Sequence, residues 1–247
     1  TNYTNGSYSD YTRTYKFRWG LKSPDDGDLG SYAEGGRNTV AYEFINEKVT
    51  EVEKFLFTSS FTSKSLDDIR TYINLDSFIE YWLTFELTLN QEPNNPGSCY
   101  MHYYNGDGKL YMGPVWDFDF GTYLTSSEFN DDGLYMKKDT HFLIANSLWY
   151  CRLLQNSNVQ NYISERWPVY KAAAEDAIAK ISAIKQYQTT SSKYNFETES
   201  EYGLWNVDKD PNSEYSMSYS NAVDRISKNL TDRVSQLNTL ITNKRYY

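Results

Sequence analysis

The stretch from Gly113 to Gly121, Gly-Pro-Val-Trp-Asp-Phe-Asp-Phe-Gly, holds the densest group of chemistry-bearing residues in the chain. Asp117 and Asp119 stand two apart among Val115, Trp116, Phe118 and Phe120. In extended chain, residues i and i+2 face the same side, so both carboxylates would converge on one hard cation, which takes oxygen ligands. The apolar neighbours would hold the segment in place. The competing reading is that both carboxylates cap the following turn or are solvated. A second polar group precedes this one: Glu86, Asn90, Glu92, Asn94, Asn95 and Ser98. Glu86 and Asn90 lie four apart on one face of an otherwise apolar segment, where a carboxylate is costly unless paired. Either the group satisfies a helix end broken at Pro93 and Pro96, or it forms a polar loop beside Asp117.

The elements that must position these residues follow from periodicity. Tyr42 to Phe57 carries apolar residues near helical spacing and predicts a helix of about four turns. Ser65-Leu-Asp-Asp68 is a capping-box pattern with a short helix to Tyr72 behind it. Asp76 or Ser77 starts a helix through Leu89 that is apolar nearly all round and therefore lies inside the domain. Cys99–Tyr104 and Lys109–Met112 flank Asn105-Gly-Asp-Gly108, a strong hairpin signal. Helices are predicted over Leu148–Leu154, Val159–Ile184 and Asn221–Asn243, with a polar, Ser- and Glu-rich stretch over 186–218. Earlier, Tyr15–Trp19 alternates like a strand and Ser23–Asp28 reads as a turn. The sum is one α+β domain, mostly helical, with a small antiparallel β element.

Composition closes several classes. Lys and Arg number 24 against 33 Asp and Glu, a net charge of −9. A nucleic-acid binder shows the opposite balance, so nucleic acid is not an expected partner. No run approaches the roughly 18 apolar residues of a membrane span. The 24 Tyr beside many Ser, Thr and Asn point to an exported protein, extracellular, on the cell surface or periplasmic. Asn2, Asn5 and Asn229 each open a glycosylation acceptor triplet. The chain opens on Thr1 without an apolar leader, so an N-terminal part is expected to be missing. Cys99 and Cys151, the two cysteines, form no metal motif and read as two buried thiols or one disulfide. Asp208 to Glu214 has calcium-loop spacing without the central Gly, and reads as a solvated acidic loop. His102 and His141 have no Ser or Cys partner in any motif and read as packing or surface residues.

Four strings in order, Asp76-Ser-Phe-Ile-Glu-Tyr81, Phe85-Glu-Leu-Thr-Leu-Asn90, Ser98-Cys-Tyr-Met-His102 and the run from Gly108 to Asp119, resemble the spore-coat protein H (CotH) kinase-like family. Lys22 to Asp26 resembles the segment that leads into that family's helical lobe, and the ordered match runs over residues 16–123. The later helices, with Arg152-Leu-Leu154 and Glu165-Arg-Trp167, fit more loosely.

The resemblance implies an atypical protein-kinase-like C-lobe that uses ATP and Mg2+, with Ser or Thr hydroxyls of a protein as acceptors. By that match Asp117 is the metal-binding acid at the first position of the kinase Asp-Phe-Gly, and Asp119 the neighbouring acid on metal and cofactor. Asn90-Gln91-Glu92 stands where the family carries Asn-x-Asp. Glu92 takes the place of the base for the acceptor hydroxyl, while Asn90 and Ser98 fall on the cofactor side. Only Arg13, Lys16 and Arg18 precede residue 20, with no Gly-rich phosphate loop. The chain therefore reads as a single domain, residues 1–247, that supplies the helical lobe without its N-terminal lobe and is inactive alone. A second reading is a degenerate extracellular module that binds a protein or a glycan through exposed Tyr and Trp. Glu92 in place of Asp favours this second reading; the retained Asp117–Asp119 pair favours transfer.

Overall fold

The computed structural model of the chain describes residues 39–94, 96, 98–118, 122, 141–196 and 218–246. The strand expected at Tyr15–Trp19, the turn at Ser23–Asp28 and the acidic loop Asp208–Glu214 lie outside these residues, as does Asp119. The described fold is mostly helical with one two-stranded antiparallel sheet.

A helix over Leu75–Leu87 (α3) runs through the core. Its sequence is apolar on nearly every face, and Phe78, Trp82 and Phe85 are fully buried. It begins one residue before the expected Asp76 because Asn74 caps it, Oδ1 accepting from the Ser77 N–H at 2.9 Å. Rings from distant chain close around it. Trp149 stacks on Phe78 at 5.9 Å, Phe142 meets Trp82 at 4.9 Å, and Tyr246 stacks on Phe142 at 5.3 Å. Each buried ring of this kind contributes roughly 2–3 kcal/mol of transfer free energy. The helix over Thr39–Leu56 (α1) adds Val49, Val52 and Leu56 to the same core. A short helix, Leu66–Arg70 (α2), starts on the expected capping box: Ser65 Oγ takes the Asp68 N–H, and the Asp68 carboxylate takes the Ser65 N–H.

The hairpin pairs Met101–Tyr104 (β1) with Lys109–Met112 (β2), with Met101 opposite Met112 and Tyr104 opposite Lys109. Gly108 closes its turn at φ +73°, a backbone that costs a side-chain-bearing residue energy. The sheet is fastened to the start of α3. The Leu110 N–H donates to Tyr72 O at 3.2 Å, the Asn74 N–H to Leu110 O at 2.8 Å, and the Met112 N–H to Ser77 Oγ at 3.1 Å. The chain therefore leaves β2 already registered on the core helix, four residues before Trp116 and five before Asp117.

Two C-terminal expectations are corrected. The helix predicted over Leu148–Leu154 shrinks to Tyr150–Leu153 (α4), because Leu148 adopts φ +48° and cannot belong to a right-handed helix. The helix expected to end at Ile184 runs on to Phe196, spanning Ser157–Phe196 (α5), well into the polar, Ser- and Glu-rich stretch. Its polar end is held from outside. Lys185 pairs with Asp224 at 2.6 Å, and Tyr219 OH donates to Gln188 at 3.1 Å, both on the last helix, Tyr219–Thr242 (α6). Cys99 and Cys151 are free, buried thiols, as the first of the two cysteine readings had it. Among the described residues no helix is long and apolar enough to cross a membrane.

Candidate functional site

The site grows from the end of α3. After Leu87 the backbone turns at Leu89, φ +53°, and sends Asn90 back into the core, where it is fully buried. Asn90 Oδ1 accepts from the Glu92 N–H at 2.8 Å and so starts the 3-10 turn Glu92–Asn94. Asn90 Nδ2 donates to Thr122 Oγ1 at 2.7 Å. One oxygen of the Glu92 carboxylate accepts from the Ser98 N–H at 2.9 Å. The Ser98 hydroxyl then donates to Asp117 Oδ2 at 2.7 Å. Glu92 and Ser98 are half-buried and Asp117 is exposed. Asn90, Glu92, Ser98 and Asp117 thus form one hydrogen-bonded chain between two loops.

Asp117 has φ +67°. A non-glycine residue in that region carries about 1–3 kcal/mol of strain, a cost that clusters at functional sites. This conformation corrects the extended-chain geometry expected at Asp117. Two of the neighbouring side chains also differ from expectation. Val115 and Trp116 are 48% and 59% exposed and cannot hold the segment in place. Phe118 does anchor it as expected, packed on Phe85 of α3 at 4.8 Å.

Glu86, the other carboxylate on α3, is a core residue. Its oxygens accept from the Leu143 N–H at 2.9 Å, the Ile144 N–H at 2.8 Å and Arg233 Nη2 at 2.5 Å. Arg233 Nε also donates to the Glu86 carbonyl at 2.9 Å, and both side chains are fully buried. Burial pushes the Glu86 carboxyl above its ordinary range, against the pull of the guanidinium and the two amides. Asn94 extends this framework, donating to Leu143 O at 3.2 Å and bonding Ser147. Of the six polar residues singled out before the hairpin, Glu86 and Asn94 therefore hold the 143–147 segment, while Glu92 and Ser98 face the Asp117 loop. Asn95 lies outside the described residues. His102 is exposed and stacks on Tyr111 at 5.2 Å.

Arg233 and Thr122 were not foreseen. Arg233 had a legible signal: Ile226, Leu230, Arg233, Leu237 and Leu240 recur at spacings of four and three, which puts a guanidinium on the apolar seam of α6. Thr122 had none.

The family model described as CotH kinase protein matches residues 11–247. The chain belongs to the CotH kinase family. Compared with curated proteins and with solved structures, it matches none. The family match takes in α5 and α6 as well as the Asp117 loop, so the helices whose resemblance was looser lie within the CotH domain. A kinase of this family implies a nucleotide and a divalent cation. Among the described residues no group of three or more His, Cys, Asp and Glu gathers to hold a metal. The donors at hand are nonetheless of one kind: the Asp117 carboxylate, the Ser98 hydroxyl and the Glu92 carboxylate offer hard oxygen atoms, which suit Mg2+ rather than a thiol- or imidazole-seeking ion. The adjacent Cys99 thiol is no competitor, since burial pushes it up to about 12.

Proposed function

We propose that this CotH chain carries an ATP- and Mg2+-dependent protein Ser/Thr phosphotransferase site, with the kinase-like helical lobe as its fold. The observation that supports this best is the Ser98–Asp117 hydrogen bond, with Glu92 holding Ser98 from the other side. Phosphoryl transfer depends on positioning and on neutralising charge, and an exposed carboxylate held by a hydroxyl that is itself held in place meets the first need.

Mg-ATP, when bound, supplies the phosphoryl group and the cation that offsets its charge. Asp117 and Asp119 are the acids proposed to hold that cation. Ser98 orients the Asp117 carboxylate through its hydroxyl and keeps one oxygen turned to a fixed place. Glu92 takes the role of orienting the acceptor hydroxyl and receiving its proton, while one of its oxygens keeps Ser98 in register. The composition, rich in Tyr, Ser, Thr and Asn, supports an exported enzyme.

The test is nucleotide binding by the native protein with and without Mg2+. Asp117→Asn keeps size and hydrogen-bonding capacity but removes the charge a hard cation seeks. Its Mg2+-dependent nucleotide binding should disappear while the melting temperature holds. Glu92→Gln should still bind nucleotide and lose transfer by about a hundredfold or more, the scale of general-base loss. If Asp117→Asn binds nucleotide and metal as the parent does, the site is not a phosphotransferase, and a non-catalytic surface-binding module takes its place.

A further inference from the structure

The hydrogen bonds around Asp117 close into a ring. Asn90 accepts from Glu92, Glu92 accepts from Ser98, Ser98 donates to Asp117, the covalent chain runs on from Asp117 to Thr122, and Thr122 accepts from Asn90. Among the described members of the ring, Asn90 is the one that is fully buried. Without it, the ring would open on its buried side, leaving the Ser98–Asp117 bond at the exposed edge.

We propose that Asn90 is a positioning residue that fixes the Glu92–Ser98 loop relative to the Asp117 segment through Thr122. This rests on the phosphotransferase reading for its kinetic consequence, and on geometry alone for its structural one. It also assigns Asn90 differently from the family resemblance, which put it on the cofactor side: its amide is turned into the core and bonded at both ends. The residue type follows from the task. An amide side chain accepts from a backbone N–H and donates to a hydroxyl at the same time. An ionised Asp could only accept, and a Ser would be too short to reach both partners. Burial makes both bonds binding, because an unpaired polar group at this depth is costly.

The test uses Thr122, which lies at the far end of the tie. Thr122→Val removes the acceptor and keeps the shape; Thr122→Ser keeps the acceptor. In the native protein, Thr122→Val should lower kcat for transfer by about tenfold or more, since misplacement of a reacting group by a fraction of an ångström is felt on that scale. Its Mg2+-dependent nucleotide affinity should stay near the parent's, and Thr122→Ser should restore kcat. Amide hydrogen exchange at Glu92 and Ser98 should quicken in Asn90→Ala and in Thr122→Val, with exchange in α6 unchanged. Should the parent bind no nucleotide, the functional reading fails and exchange alone decides the positioning role. Overturning it takes Val and Ser variants that both transfer like the parent, or Glu92 and Ser98 amides whose exchange neither substitution alters. A loss of melting temperature without either change would likewise make Asn90 a stability residue only.

Discussion

Glu86 and Glu92 stand six residues apart at the same end of α3 and have opposite fates. Glu86 is sealed in the core, where a guanidinium and two backbone amides occupy its oxygens. Glu92 is half-buried, and one of its oxygens holds the Ser98 N–H at the rim of an exposed loop. The first arrangement is self-contained: the charge is answered from within the fold, so nothing remains for a ligand. The second leaves its carboxylate beside an exposed Asp and a hydroxyl. The difference teaches that this carboxylate in an apolar helix marks a framework joint, and that the candidate site begins where the chain leaves the helix.

The strongest way to break this contrast is to remove the answering charge. Arg233→Leu leaves Glu86 buried and uncompensated, and should destabilise the fold by about 3–5 kcal/mol in urea unfolding. Adding Glu86→Leu to that variant should recover part of the loss, since two apolar side chains replace two buried charges. Glu92→Gln should shift the unfolding midpoint far less. Equal losses for Arg233→Leu and Glu92→Gln would erase the distinction between joint and site.

The boundary between the two regions falls between adjacent residues, and thiol chemistry can locate it. Ser98 is half-exposed, whereas Cys99 is buried with its thiol pushed up to about 12 by desolvation, and burial does the same to Cys151. Both thiols should react with a disulfide reagent at pH 8 more than ~100-fold slower in the native protein than in urea, because the thiolate is the reactive form. Fast native labelling of Cys99 would mean that the core opens at the loop itself.

A third carboxylate gives the smallest effect. Asp68 is exposed, and the Ser65 hydroxyl and N–H hold its carboxyl below the ordinary range. A depressed folded-state value gives stability that is complete above the unfolded value, near pH 4, and is lost as pH falls through the folded one. Acid unfolding of Asp68→Asn should therefore show a flatter profile than the parent only below about pH 4. A difference between the two that persists unchanged at pH 2 would contradict the cap.

Much of the framework was legible because its signals are local. The Ser65 box, the Asn105–Gly108 turn and the all-round apolar α3 each specify their own geometry within a few residues. The failures have local causes too. Leu148 and Asp117 take left-handed backbones that their neighbours in sequence do not announce, which shortens the helix expected from Leu148 and takes Asp117 out of extended geometry. The end of α5 lacks an apolar stripe, and an ion pair and a hydrogen bond to α6 hold it instead. At the site, the types of Glu92, Ser98 and Asp117 and their order were readable. The Thr122 contact was not, since a hydroxyl that bonds a residue 32 positions away leaves no trace in spacing.

The Glu86–Arg233 joint also constrains the order in which the domain can be made. Its partners are 147 residues apart. At a synthesis rate of roughly 5–20 residues per second, Arg233 leaves the ribosome about 7–30 s after Glu86. Through that interval the Glu86 carboxylate lacks its guanidinium, and the Leu143 and Ile144 amides alone can answer it, so α3 cannot settle into its final packing. A nascent chain interrupted between the two partners should stay unfolded around α3, which makes the final helix a completion signal for the whole domain.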